Sequence, residues 1–378
     1  MTPEKPTTLV RGPVIVPRAR RLMAMPTTET LRAHDPLQCI IPPHMLERLA
    51  ESGHPDLAGW ARESMMRSIE ARAIRETARV APRLYASASP DGGKHRLVYD
   101  AGGSFDLPGR LVRGEGDPDN GDMAVREAYR YSGTVWDYLK KVHSRNSLDD
   151  QGMTLSCCVH VGRNYSNAFW DGSRMGFGDG DGILFRRFTR SIEVVAHELA
   201  HGVIAFSSDL RYFGESGALN EHFGDVFGVM VRQWKRRQEA NAGDWTIGSE
   251  LLVKASTRRA LRDLSAPGTA YRDDPFLGDD PQPAHWDDRY RGDADNGGVH
   301  INSGIPNHAF YRAAIELGGY SWETLGEAWY QALQLLKPDS RFQDCAEITE
   351  RETARQYGIR SREVRAVRRG WRAVGIVV

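Results

Sequence analysis

The most constraining feature of this chain is a five-residue run, His197-Glu198-Leu199-Ala200-His201. It lies inside IEVVAHELAHGVIAF, whose apolar spacing predicts a helix. On a helix, positions i and i+4 share a face one turn apart, so the two imidazoles can share a cation. Glu198 projects beside them. It is poorly placed as a third ligand but can reach a water on the same cation. The alternative is a half-buried helix with two hydrogen-bonded histidines. Glu221 and Asp225, four residues apart on the apolar-periodic segment ALNEHFGDVFGVMVRQW, weigh against that alternative. A catalytic zinc takes three protein ligands and keeps one position for water. His197, His201 and Glu221 meet that count. Asp225 is then placed to accept a hydrogen bond from the far nitrogen of a ligand histidine and fix its tautomer. Zinc lowers the pKa of bound water from about 15.7 to about 7, on the order of 12 kcal/mol of bias toward hydroxide. With Glu198 taking the water proton and passing it to a leaving amine, the residues point to metal-assisted hydrolysis of an amide.

The rest of the chain bounds that reading. At 378 residues it suits two lobes plus appendages. Basic and acidic residues number 50 each, which argues against a generally cationic nucleic-acid binder. The sequence carries no apolar run of membrane-spanning length, and the first twenty residues lack the apolar stretch of a secretory signal. Residues 1–36 are rich in Pro, Thr and Arg and read as a poorly structured extension. CIIPPHMLERLAESG predicts a helix that Gly53 stops, and a second helical run covers residues 56–80. Prolines, serines and glycines at 81–94 mark a linker. Residues 95–190 read as β-rich around one helix at 121–145, and the chain after Ser191 reads as mostly helical. Cys157 and Cys158 are adjacent and should face opposite sides of a strand.

NAFW (167–170), GDGDG (178–182), HELAHGV, ESGALNE (215–221) and DNGGVHINSG (295–304) occur in an order and spacing that resemble the thermolysin-type neutral zinc metalloproteases. The likeness runs from about residue 96 to the C-terminus. CIIPPHML, LPGRLVR, PGTAY and GDDPQPAHW resemble the protealysin-like branch, which carries a short propeptide. The resemblance implies an α+β, two-lobed zincin. Residues 37–82 would be a small helical propeptide, 83–206 a β-rich lobe including the HExxH helix, and 207–378 a helical lobe.

It further implies zinc ligands His197, His201 and Glu221, with Glu198 as general base. His300 and Tyr212 match the family's donors to the tetrahedral intermediate, and Asp295 the partner that orients the histidine. Without the family, His300 reads as a loop or core histidine and Tyr212 as a packed aromatic. Asn167 and Ala168 match positions that pair with substrate backbone, as an edge strand would. Arg262 matches the arginine that holds a substrate carbonyl. Val194, Ile247, Leu251 and Leu261 fall where the family lines the pocket for the residue after the cleaved bond. All four are apolar, which implies preference for Leu, Phe, Ile or Val there.

Where the family's double calcium site would be, the chain reads Glu193, Arg232, Asp244, Thr246 and Ser249. Too few hard oxygen charges remain for two Ca²⁺, and Arg232 is expected between Glu193 and Asp244 in their place. His222 lies about 100° round the helix from the ligand face and reads as structural. GDGDG reads as a structural turn, because its aspartates would repel phosphate. Cys39 is a candidate inhibitory residue whose thiolate could cap zinc; the blander reading is a small apolar contact beside Ile40 and Ile41. The expected partners are peptide or protein substrates and the chain's own propeptide, with no nucleic acid, no membrane and a monomeric state. The family is usually secreted; an intracellular role is the alternative. The competing functions are a zinc-binding protein without turnover and a zinc hydrolase acting on something other than peptides.

Overall fold

Short runs rich in branched and aromatic residues, closed by turn residues, become the strands of a six-stranded mixed sheet. The computed structural model of the chain describes residues 38–79, 89 and 91–378. The extension at 1–36 and residues 81–88 of the linker, where cleavage would release the propeptide, lie outside the described residues. The strands are β1 (Gln38–Cys39), β2 (Arg96–Asp100), β3 (Arg110–Arg113), β4 (Leu155–Val159), β5 (Ala168–Trp170) and β6 (Met175–Phe177). Across the sheet the order is β1-β5-β6-β4-β2-β3. β2, β4 and β6 run parallel, while β2–β3, β5–β6 and β1–β5 pair antiparallel. Cys157 and Cys158 do face opposite sides. Cys157 enters the main core, and Cys158 a smaller cluster with Cys39, Ala101, Val161, Tyr165 and Phe169.

The helices are α1 (Pro43–Glu51), α2 (Pro55–Arg79), α3 (Met123–His143), α4 (Ile192–Ala205), α5 (Gly214–Arg236), α6 (Ala294–Asn302), α7 (Gly304–Leu317), α8 (Thr324–Leu335), α9 (Phe342–Tyr357) and α10 (Arg362–Ala373). The Asp122 side chain caps α3 by accepting from the Val125 amide at 3.0 Å, and Ser144 ends it in the left-handed region. α4 is buried on every side from Ile192 to Ile204, its four ionisable side chains included. It packs on β5 and α3 on one side and on α5 on the other. Among the described residues, no helix is long and apolar enough to cross a membrane.

The segment between α5 and α6, residues 237–293, is less helical than its place in the chain predicts. It holds only short 3-10 turns and the two-strand pair β7 (Thr246–Ile247) and β8 (Arg262–Asp263). Its density of Asp, Gly and Pro favours turns closed by carboxylates over helix. Asp263 accepts from the Ser265 amide, Asp274 from Phe276 and Leu277, and Asp280 from Gly268 and Ala270.

Residues 38–61 are built into the same body as both lobes. Ile40, Ile41, Met45, Leu46, Leu49 and Ala61 all belong to the main core. Full burial of each large aliphatic among them favours this arrangement by roughly 1.5–3 kcal/mol.

Candidate metal centre

α4 presents His197 and His201 on one face, and α5 brings Glu221 against them; all three are fully buried. Two glycines let the helices come this close. A Cβ on Gly224 would stand 2.6 Å from His197 Nδ1, and one on Gly228 would stand 2.6 Å from the Glu193 carbonyl oxygen. The Nε2 atoms of His197 and His201 are 3.1 Å apart. Glu221 carboxylate oxygens lie 3.4 Å from His197 Nε2 and 3.5 Å from His201 Nε2. The three side chains thus offer ligand atoms within 4.8 Å of one another and could hold one ion.

The partners of the far ring nitrogens indicate what that ion is. His197 Nδ1 is 2.9 Å from Asp225 Oδ1, and His201 Nδ1 is 2.8 Å from Asn220 Oδ1. Both partners are acceptors, so both Nδ1 atoms carry hydrogen and both Nε2 atoms can turn lone pairs to the common point. Two such lone pairs and a carboxylate converging in a buried space demand positive charge. His197 shows the same demand for a proton. Burial opposes its charged form, but contacts with Asp225 and Glu221 outweigh burial and raise its pKa to about 9. A borderline-soft divalent ion with nitrogen and oxygen ligands, zinc above all, fits this donor set.

The remaining expected residues surround the same point. Both Glu198 oxygens are buried without a hydrogen-bond partner. Burial, reinforced by Glu221 and opposed by His197 and Arg262, pushes this carboxyl up to about 8. Tyr212 donates its hydroxyl to Glu221, and that hydroxyl oxygen is 3.1 Å from His300 Nε2. His300 Nδ1 is 2.6 Å from Asp295 Oδ1, while Asp295 Oδ2 accepts from the His300 amide at 2.8 Å. Asp295 can do both because residues 295–298 turn in the left-handed region, folding the carboxylate under the helical turn that follows. Burial lowers the His300 pKa, but Asp295 and Glu221 overcome it and the net shift is upward. Arg262 binds Asp225 with two bonds of 2.8 Å. Val194, Ile247, Leu251 and Leu261 are all buried.

Residues 38–41 cross this centre. β1 lies antiparallel on β5, with Cys39 opposite Phe169. The Ile40 amide donates to the Ala168 carbonyl at 3.3 Å, and the Ile41 amide to Asn167 Oδ1 at 3.1 Å. Arg262 Nη1 donates to the Ile40 carbonyl at 3.0 Å, and His300 Nε2 lies 3.0 Å from the Cys39 carbonyl oxygen. The Cys39 side chain packs with Phe169 and Tyr165 on the far face of the sheet and is not part of the three-ligand group. The Cys39 carbonyl meets the site through His300, and its side chain makes the small apolar contact that the sequence also offered.

Asn220, which holds His201, and Asn307, whose amide donates to Asp225 at 2.9 Å, were not foreseen. Asn220 carries a faint signal, being the residue before Glu221; Asn307 carries none. His222 is held between Asn307 and the Trp329 indole, in keeping with a structural role. Asp181 of GDGDG accepts from the amides of Ile183, Leu184 and Phe185, closing a turn. Arg232 Nη1 is 3.0 Å from Glu193, and Nη2 is 3.2 Å from Asp244 Oδ1.

Residues 100–205 match the thermolysin metallopeptidase catalytic domain, and residues 208–376 match the thermolysin metallopeptidase alpha-helical domain. An extracellular metalloprotease of Pectobacterium carotovorum subsp. carotovorum is 44% identical over 345 residues, 91% of this chain and 97% of that protein. Protease PrtS of Photorhabdus sp. (strain Az29) is 50% identical over 288 residues, 75% of this chain and 77% of that one. The solved precursor of protealysin, a metalloproteinase from Serratia proteamaculans, superposes with a TM-score of 0.80 at 43% identity, covering 90% of this chain and all of that one. Two histidines and a glutamate converging from neighbouring helices, on a chain matched from residue 100 to 376, place this protein in the thermolysin family of metallopeptidases, in its protealysin-like branch.

Proposed function

We propose that the chain is a zinc-dependent endopeptidase made as a zymogen, with residues 37–82 as its inhibitory propeptide. Residues 83–206 would form the β-rich catalytic lobe and 207–378 the helical one. His197, His201 and Glu221 would hold zinc, which when bound supplies Lewis acidity and an activated water. The chain's own residues do the rest. Glu198 takes a proton from water and delivers it to the leaving nitrogen. His300 and Tyr212 donate to the carbonyl oxygen as charge gathers on it, each worth about 10²–10³ in rate. Asp225 and Asn220 hold the ligand imidazoles, and Asp295 holds His300. Asn167 and Ala168 bind extended backbone along the edge of β5, while Arg262 grips the next carbonyl. Val194, Ile247, Leu251 and Leu261 favour an apolar residue just after the cleaved bond.

The observation that carries this reading is the docking of residues 38–41. An extended segment touches Asn167, Ala168, Arg262 and His300 at once, the groups a peptide substrate would need. Secretion is part of the proposal and draws on the relative named as an extracellular metalloprotease. So is a monomer without a double calcium site, supported by the Arg232 guanidinium standing between Glu193 and Asp244.

The test is casein hydrolysis by the processed protein. Activity should vanish with a zinc chelator and return with zinc. Glu198→Gln should lower kcat roughly 10²–10⁴-fold while the protein still binds zinc. Undiminished turnover by that variant contradicts the proposal, as does equal cleavage of analogues with Asp or Lys after the scissile bond.

A further inference from the structure

One peptide bond in residues 38–41 is placed unlike its neighbours. The oxygen of Cys39 faces His300 Nε2 at 3.0 Å, with the Tyr212 hydroxyl 3.1 Å from the same nitrogen. On the other side of that bond, the Ile40 amide is held by the Ala168 carbonyl at 3.3 Å. The next carbonyl, of Ile40, is gripped by Arg262, and the next amide, of Ile41, by Asn167. The Cys39–Ile40 bond therefore has His300 on its oxygen side and an amide held by the edge of β5 on its nitrogen side, with an apolar side chain just after it, and Arg262 and Asn167 fix the groups that follow. Ile40 is completely buried.

We infer that Cys39–Ile40 is the chain's own first cleavage site, hydrolysed within the same molecule by the centre it covers. This rests on the endopeptidase reading above. Water's oxygen bonds to the Cys39 carbonyl carbon and the carbon–nitrogen bond to Ile40 breaks. Glu198 carries a water proton to the Ile40 nitrogen. The products are a Cys39 carboxylate and, once the second water proton is taken up, an Ile40 ammonium.

The cut does not free the site. Ile41 remains tied to Asn167, Ile40 to Arg262, and Met45, Leu46 and Leu49 keep α1 buried in the main core. Residues 1–39 lose their covalent hold, while the segment beginning at Ile40 stays seated with its new ammonium against the Ala168 carbonyl. Full activity therefore needs a second event that removes residues 40 onward.

The test uses the full chain, purified with chelator and then given zinc. Intact mass and N-terminal mapping should show fragments ending at Cys39 and beginning at Ile40, at a rate unchanged across a wide dilution series. Glu198→Gln should leave the bond whole. Ile40→Leu should keep the cut, and Ile40→Asp should slow it roughly 100-fold or more by placing a charge in an apolar pocket. A second readout is independent of turnover. In Glu198→Gln, with and without zinc, the Ile40 and Ile41 amides should resist hydrogen exchange, and Ile40→Asp should remove that protection while the amides of α4 and α5 keep theirs. A first cut elsewhere, a rate that scales with protein concentration, or unprotected Ile40 and Ile41 amides overturns the inference. If casein is hydrolysed by the processed protein while Cys39–Ile40 stays intact in the precursor, this inference fails and the endopeptidase reading stands. If neither is cut, the endopeptidase reading falls first and takes this with it.

Discussion

α4 and α5 carry two neighbouring clusters of buried charge, and the two are neutralised in different ways. At one end, His197, His201 and Glu221 converge on a common point with Asp225 and Asn220 behind them. At the other, Glu193 lies one turn before His197 and meets Arg232, seven residues beyond Asp225. Glu193 also accepts from the Ser191 hydroxyl and the Gly248 amide, and Arg232 donates to the carbonyls of Asp244 and Thr246. The arginine end carries its cation covalently. The histidine end is complete only when positive charge arrives from outside, as a proton or a metal. The same helix pair, spaced by the same kind of glycine contact, thus holds a fixed structural charge beside an exchangeable one.

The largest effect should come from breaking the fixed pair. Arg232 and Glu193 are 1% and 0% exposed. Arg232→Met leaves Glu193 charged, buried and uncompensated, and should cost about 3–5 kcal/mol, read as a fall in the urea midpoint of the zinc-loaded protein. An unchanged midpoint would mean that the guanidinium is not the neutralising charge. Calcium should not restore the loss.

Gly224→Ala sharpens the comparison from the exchangeable side. The new methyl presses on His197 Nδ1, which must shift away from Asp225. Zinc affinity should fall about 10–100-fold, measured by competition with a chromogenic chelator, while the Arg232 end is undisturbed.

His160 shows what exposure does to a histidine set between carboxylates. His160 sits between Asp179 at 2.8 Å and Asp122 at 3.2 Å, with its side chain 26% exposed. The hydrogen bond to Asp179, partly offset by burial, raises its pKa to about 9. Because the folded value lies above the unfolded one, its contribution is fully present below about pH 6.5 and fades as pH rises through about 9. Water screens the pair, so the gain should be under about 1 kcal/mol, seen as a small difference between wild type and His160→Gln at pH 6 that closes by pH 10.

The sequence carries the metal ligands clearly because helical geometry is local. His197 and His201 are one turn apart on one segment, and so are Glu221 and Asp225 on the next. Those spacings alone give two faces; the resemblance supplies their encounter and adds Tyr212, His300 and Arg262 from distant segments. The spacing of Gly224 and Gly228 is equally local, but a glycine in a helix signals close approach only when the partner helix is known. Asn307 reaches Asp225 from 82 residues away and left no trace. The edge of β5 at Asn167 and Ala168 was expected to take an extended peptide; its occupant, residues 38–41, comes from more than 120 residues earlier in the chain. No periodicity in CIIPP could announce a strand completed by so remote a partner.

Zinc titration of the metal-free full chain, followed by X-ray absorption at the zinc edge, tests the central claim most directly. The expected result is one tightly held zinc per chain with two imidazole nitrogens and a carboxylate oxygen at about 2.0–2.2 Å. Binding should be lost in His201→Ala and Glu221→Ala and kept in Glu198→Gln. Zinc that binds equally well after either ligand is removed, or a coordination sphere built from sulfur, would contradict a metal centre made by these three side chains.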